Sequence, residues 1–465
     1  MMAPQKVQNL QRLLSTLPVP VARRLAKAIE VDRLTGGEAL PHEAILQGLR
    51  PHLRGAQGAR VASPRRLFCT PFEDLLVSGS HRSKSQGAIS RESIVPVWTW
   101  LELTLLPEAT AAYVRDCRAA LLTHDEAGAL AQVSEFWLGA AAAMSTALTD
   151  NAGRARAKAQ LGGEATLADA EEMLRLLAIG PETIELQKLI PRGLPNLSES
   201  ILLQLRGLYE RVVARVPDAA PYVAVITMHR LARPWEALRL PRFIARQQVD
   251  TLISATDMGL VGELLLEEME NYLSVICSAR HPQFDPDVLS MAIAGFAELS
   301  MGLVKEVEVR RYGKWGQRLI KARAMAAECL DALVGRSSRE ILGALPSHRA
   351  SYSGGPRVPD LARPASHEKR ERAIRYADLV VGCRPFAAAV SVSAALDAAE
   401  EETVRELCTY NEELLRILRG VSPDTGAGAE DALEFAVQLT SRILGVNEGE
   451  YLRRRGRAAL SSTAA

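Results

Sequence analysis

The side chains best placed to do chemistry in this chain are clustered cations. Five of them follow helical spacing late in the middle of the sequence: Arg310, Arg311, Lys314, Arg318 and Lys321. At about 100° per residue they fall within one sector of a helical wheel, so the segment predicts an amphipathic helix with a basic stripe. Such a stripe could bind a nucleic acid or another anionic surface, a protein partner, or acidic side chains of the same chain.

A second cluster lies in a polar loop, where Arg82, Lys84 and Arg91 stand among serines. Guanidinium, ammonium, hydroxyl and amide groups are the donors that an anion requires, although a solvated loop has the same composition. The surrounding residues 50–91 contain eight basic and two acidic side chains. These three residues and the five of the stripe are therefore the candidate anion- or partner-binding residues. A third run of arginines, from Arg230 to Arg246, surrounds Trp235.

The preceding segment, 259–280, offers an internal partner for the basic stripe. Glu263, Glu267 and Glu270 recur there at helical spacing, and only a short connection separates this segment from a helix beginning at Asp285-Pro286. A short connection makes the flanking helices antiparallel neighbours, which brings the acidic and basic stripes together. We therefore expect internal pairing, with a kink or a break in the helix between Val307 and Tyr312, where the apolar spacing changes phase.

Motifs of known enzymes do not occur in the sequence. His42-Glu43 and His367-Glu368 each lack the second histidine of a zinc-protease helix. Neither a nucleophile elbow nor a phosphate-binding glycine loop is present. The sequence therefore predicts no catalytic residue, no metal ligand and no cofactor, although an active site assembled from distant residues stays open as a third interpretation.

Composition favours helices. Hydrophobic residues make up 48% of the 465 residues, aromatic residues only 5% and charged residues 24%, and the net charge is +1. Alanine and leucine dominate, helical spacing recurs throughout, and no segment alternates like a strand. We expect an all-α protein, either a multi-helix bundle or an irregular helical array, without a substantial sheet. The preference for arginine over lysine, together with abundant alanine, suggests a bacterial source.

The six cysteines indicate a reducing compartment. They are scattered without a Cys-x-x-Cys pair, so we expect buried free thiols. The first residues do not resemble a signal peptide, and the apolar stretch 136–149 is too short to span a bilayer. A cytoplasmic protein without a transmembrane segment is the resulting prediction.

Stretches rich in proline, glycine or charged residues interrupt the helical pattern and divide the chain into five expected segments. The main α-helical domain lies in the middle and a flexible linker or long loop follows it, because residues 346–366 lack an apolar face. The segments are a small N-terminal helical module (1–55), a basic irregular connector (56–92), the main helical domain (93–345), the linker (346–366) and a C-terminal helical section (367–465), whose last residues we expect to be frayed.

Two functions from different classes fit this description. The first is a non-enzymatic scaffold, adaptor or regulator that acts by protein–protein binding. The alternative is a protein that binds nucleic acid or an anionic surface through the basic segments 50–91 and 310–323. The oligomeric state does not follow from the sequence.

Overall fold

The computed structural model describes residues 63–78, 86–246, 249–279, 283–349, 357–420 and 426–461, together with single positions between 14 and 49. It is 80% helical, and its described part contains 19 α-helices and two small two-stranded sheets. The expected all-α architecture is therefore confirmed. Contacts divide the chain into two compact units, residues 1–187 and 188–465, which are described separately below. The five segments expected from the sequence stay predictions.

The first unit packs its helices around aromatic side chains. Phe68 lies 5.2 Å from Trp98 and 5.9 Å from Phe136 between ring centres, and Phe136 stacks on Tyr113 at 4.4 Å. The indole of Trp137 donates to the carbonyl of Phe68 at 3.0 Å, so the buried polar group is satisfied. The helices that begin in this unit are α1 (Pro64–Phe68), α2 (Ile94–Trp100), α3 (Pro107–Leu122), α4 (Glu126–Ala147), α5 (Asn151–Leu161), α6 (Glu164–Ala178) and α7 (Gly180–Leu189).

Helix α5 was not expected from the sequence. It begins where the Asp150 side chain accepts a hydrogen bond from the Gly153 amide, and it buries Ala157 and Leu161.

The short strands β1 (Leu76–Val77) and β2 (Ile89–Ser90) pair in parallel. At the N-terminus, the described positions are helical, and six of them form one apolar cluster: Leu14, Ala22, Ala26, Ile29, Ile45 and Leu49.

The second unit is built around three long helices in its middle. Its helices are α8 (Glu199–Arg215), α9 (Pro221–Arg230), α10 (Arg239–Ala245), α11 (Asp250–Ile253), α12 (Leu260–Ser278), α13 (Pro286–Glu306), α14 (Lys314–Val334), α15 (Ser337–Leu342), α16 (His367–Cys383), α17 (Ser393–Leu418), α18 (Gly426–Ile443) and α19 (Val446–Ser461). Helix α12 packs along both α13 and α14.

The start of α13 and the break after it follow the sequence closely. Asp285 caps α13 by accepting from the amides of Asp287 and Val288 at 2.9 and 3.2 Å, and Pro286 occupies the first turn. The helix ends at Glu306, Val307 is extended, and α14 begins only at Lys314. The expected break between the two helices is confirmed.

Two C-terminal features were not expected from the sequence. Within the segment expected to be a linker, β3 (Ser347–Arg349) and β4 (Arg357–Pro359) pair as antiparallel strands, and the hydroxyl of Tyr410 donates to the carbonyl of Pro346 at 3.2 Å. Part of the tail that was expected to be frayed belongs to α19, which ends at Ser461, and residues 462–465 lie outside the described residues. Arg453 pairs with Glu434 and Glu450, and α19 packs along α18. Tyr410 and Glu434 lie far along the chain from the residues that they contact, so local composition could not reveal these two contacts.

The cysteines correct the expectation of six buried free thiols. Cys277 of α12 and Cys329 of α14 form a disulfide, with their Cα atoms 5.4 Å apart. Cys408 is exposed, whereas the remaining three free thiols are buried. Cysteines separated by 52 residues carry no local signal of pairing, and only the approach of α12 to α14 brings these two together. Since disulfides persist in oxidising surroundings, this one weighs against the argument for a reducing compartment. The cytoplasmic location stays a prediction.

Among the helices that the structure describes, only α13 is long and apolar enough to cross a membrane by length and composition. Half of its most apolar stretch is buried inside the protein, and core helices meet the same criterion. This observation is weak evidence for a membrane span.

Candidate functional site: the surface of helices α12, α13 and α14

The basic stripe of α14 lies against acidic side chains of α12. Lys314 Nζ lies 2.9 Å from Glu263 Oε1, and Arg318 Nη1 lies 2.7 Å from Glu263 Oε2. Arg318 also binds Glu270 with two parallel hydrogen bonds, each of 2.9 Å. We call Glu263, Glu270, Lys314 and Arg318 the charged seam. The expected internal pairing is confirmed for these four residues.

The charged seam fixes the relative direction of the two helices. Glu263 contacts Lys314, Glu270 contacts Arg318, and Cys277 is bonded to Cys329, so the contacts follow the same N-to-C order along both helices. Helices α12 and α14 are therefore parallel. A bidentate contact between a guanidinium and a carboxylate is geometrically specific as well as favourable in energy. The pair of Arg318 and Glu270 therefore sets the register of α12 against α14.

The contacts within the charged seam stabilise the ionised forms of Glu263 and Arg318. Burial alone would raise the pKa of Glu263, but hydrogen bonds from Lys314 and from the indole of Trp315, with the charge of Arg318, lower it overall. The hydrogen bonds to Glu270 raise the pKa of Arg318. The indole Nε1 of Trp315 donates to Glu263 Oε1 at 2.9 Å, so a fully buried ring is tied to the seam.

The other candidate cations are distributed differently. Arg310 Nη2 lies 2.7 Å from Glu308 Oε1, while its backbone amide donates to Asp250 at 3.1 Å. Arg311 and Lys321 are exposed, and within the described residues neither forms an ion pair. Carboxylates thus accompany three of the five candidate cations of the basic stripe.

The candidates in the polar loop lie in the first unit. Arg91 is exposed at the start of a 3-10 turn that follows β2. Arg82 and Lys84 lie outside the described residues. The end of the loop is anchored by acidic side chains of α6, because the Gly87 amide donates to Glu172 at 2.5 Å and the Ser90 amide donates to Asp169 at 3.1 Å.

Part of the third arginine run surrounds a buried carboxylate that sequence reasoning missed. Glu306, at the end of α13, accepts two hydrogen bonds from Arg239 at 2.9 and 3.0 Å and contacts Arg242 at 3.4 Å. Glu236 is also buried and accepts from the Leu197 amide at 3.0 Å. The available signal was the spacing of Arg239 and Arg242, which places both on one side of a helix turn. These two arginines therefore neutralise a buried carboxylate within the second unit.

Helix α13 presents an apolar strip to solvent that sequence reasoning also missed. Met291 is 64% exposed, Met301 49%, and Val288 and Val304 46% each. We call one side of this helix the α13 stripe; it consists of Met291, Glu298 and Met301, which are exposed, and Ala294, which is half-buried. Val288 and Val304 lie about 100° to either side of the middle of this stripe. Exposed apolar side chains in a contiguous patch mark interaction surfaces, and methionine adapts to varied partners. The apolar spacing of α13 identifies its buried side, and the exposed methionines lie outside that series.

Outside this surface, the groups that could take part in reactions include the buried free thiols. Burial raises the pKa of the Cys383 thiol to about 12, and that of Cys69 to about 12, so both thiols stay protonated near neutral pH. No group of three or more histidine, cysteine, aspartate or glutamate side chains in the described part of the chain could hold a metal ion.

Comparison with known proteins gives no relative from which a function could be transferred. The chain matches no family model, no curated protein and no solved structure.

Proposed function

We propose that this protein acts by protein–protein binding, as a scaffold, adaptor or regulator, and that the α13 stripe is its binding surface. The exposure of Met291 and Met301 on an otherwise well-packed helix carries this proposal. Burying such side chains against a partner contributes about 1.5–3 kcal/mol each when burial is complete.

The pairing of charges on α14 supports this proposal over the binding of nucleic acid through residues 310–323. Lys314 and Arg318 already have carboxylate partners on α12. A phosphate backbone would have to compete with Glu263 and Glu270 for both cations, and it would be repelled by those carboxylates. Arg311 and Lys321 alone offer a small number of phosphate contacts.

Photo-crosslinking from the stripe tests the proposal. A photoreactive amino acid at Met291 should form covalent adducts with protein when the full chain is irradiated in native extract. The matched control places the same amino acid at Asp397, an exposed position on α17, and should give no such adduct. Adducts to nucleic acid or lipid from position 291, or no adduct at all, would contradict the proposed function.

A further inference from the structure

The two ends of the α13 stripe carry opposite charges. Asp287 lies at the N-terminal end and Lys305 at the C-terminal end; both are exposed, and neither forms an ion pair within the described residues. The separation of 18 residues corresponds to about five whole turns at 3.6 residues per turn, so both side chains lie on the same line along the helix. That line runs through the middle of the exposed side.

The stripe is also symmetric about its centre. Residue 296 is the midpoint between Asp287 and Lys305, and Met291 and Met301 stand five residues on either side of it. Ala294 and Glu298 stand two residues on either side. A copy of the helix turned end for end therefore presents a methionine level with each methionine, a lysine level with Asp287 and an aspartate level with Lys305.

We propose that the α13 stripe binds a second copy of this chain, with the two α13 helices antiparallel across a two-fold axis at the level of residue 296. This inference rests on the proposed function and names its partner. A two-fold interface uses the same patch on both subunits, so the patch must be complementary to itself. The stripe meets that requirement, since each end places Asp287 of one copy beside Lys305 of the other.

Charge complementarity favours this partner over the other surfaces that an apolar stripe could cover. A parallel pairing of two α13 helices would place like charges side by side at both ends. A lipid bilayer would have to accept Glu298 in the middle of the stripe. In the antiparallel pair, Glu298 lies level with the small side chain of Ala294. Its charge also acts on Tyr272, whose pKa is raised by burial, by Glu268 and by Glu298.

Charge reversal at the two ends is the first test. Sedimentation velocity of the full chain should give a species of twice the 50.5 kDa chain mass at micromolar concentration. Asp287→Lys or Lys305→Asp alone creates two like-charge contacts in the dimer and should weaken self-association by about tenfold or more. The double variant D287K/K305D restores both contacts and should recover association to within about threefold of the native protein. Circular dichroism checks that each variant keeps its helices.

Cysteine trapping tests the direction of the helices. In a Cys408→Ser background, Asp287→Cys mixed with Lys305→Cys should form a disulfide-linked pair under mild oxidation. Asp287→Cys alone should not, because an antiparallel pairing separates the two residues by about 27 Å at 1.5 Å per residue. Self-linking of the Asp287→Cys protein would show a parallel pairing and overturn the proposal.

Four further outcomes would also overturn it. A chain that is monomeric at all concentrations, or a double variant no tighter than the single variants, excludes this interface. Binding of the native chain to phosphatidylcholine vesicles, abolished by Met291→Glu, would assign the stripe to a membrane. If the chain is monomeric while position 291 still crosslinks to a different protein, the proposed function stands and only the identity of the partner is wrong. Glu298→Ala should preserve or strengthen the dimer, so a loss there counts against it as well.

Discussion

Trp315 is completely buried because Gly262 on α12 leaves space for its ring. A Cβ atom at position 262 would overlap the indole, whose position is fixed by the hydrogen bond to Glu263. We expect Gly262→Ala to lower the free energy of unfolding by about 1–3 kcal/mol through overpacking. Urea denaturation measures this change.

A matched substitution separates overpacking from the general effect of removing a helical glycine. Gly207 lies inside α8, and a Cβ atom there would meet no atom within 4 Å. Gly207→Ala should raise the free energy of unfolding by about 0.5–1 kcal/mol, since alanine favours the helix. Equal effects at both positions would show that the packing of Trp315 against Gly262 is not tight.

The charged seam makes stability depend on pH through Glu263. Its pKa is lower in the folded protein than the ordinary value of 4.5, so the stabilisation is fully present above that value and is lost as the pH falls through the folded pKa. Glu263→Gln can still accept from Trp315 but carries no charge. The variant should be less stable than the native protein at pH 7, and this difference should shrink at about pH 3. Urea denaturation at both pH values tests this; a difference independent of pH would be the contrary result.

At the scale of elements, α12 and α14 are held by two kinds of bond, the ion pairs of the charged seam and the disulfide between Cys277 and Cys329. The disulfide closes a loop with a sequence separation of 52 residues. By loop-closure entropy such a bond contributes about 4 kcal/mol. The ion pairs, which are open to solvent on one side, contribute much less, on the order of 0.2–1 kcal/mol each.

Reduction should therefore destabilise the second unit more than loss of any one ion pair. We expect dithiothreitol to lower its midpoint of urea denaturation, and the Cys277→Ser/Cys329→Ser variant to reproduce that midpoint without reductant. Cys408→Ser, which removes an exposed free thiol, should leave the midpoint unchanged. A native protein insensitive to reductant would argue against the bond.

At the scale of the whole molecule, the chain comprises two compact units with separate cores. Multi-domain proteins depart from two-state unfolding, so calorimetry should resolve two transitions. Phe68→Ala removes a fully buried ring of the first unit and should lower the free energy of unfolding by about 3–5 kcal/mol. One of the two transitions should therefore move to a lower temperature. Gly262→Ala should shift the other. A single transition displaced by both substitutions would mean that the two units unfold together.

Sequence patterns predicted what depends on neighbouring residues. The cap at Asp285 and the break before Lys314 follow from spacing within one stretch of chain. The pairing of Glu263 with Lys314 joins residues 51 positions apart; it was predicted because each of the two charged stripes shows helical spacing and they carry opposite charges. Other features created by contacts between distant segments were not predicted. The disulfide, the buried environment of Glu306 and the last helix each require the approach of elements that no local pattern encodes.

The disulfide also has a mechanical consequence for α13. The whole helix lies inside the loop closed by Cys277 and Cys329, so tension applied to the chain ends passes through the sulfur atoms and leaves the enclosed segment slack. In single-molecule stretching, reductant should lengthen the fully extended chain by about 170–190 Å, at 3.3–3.6 Å for each enclosed residue. Until that bond breaks, the helix that carries the exposed methionines bears no load.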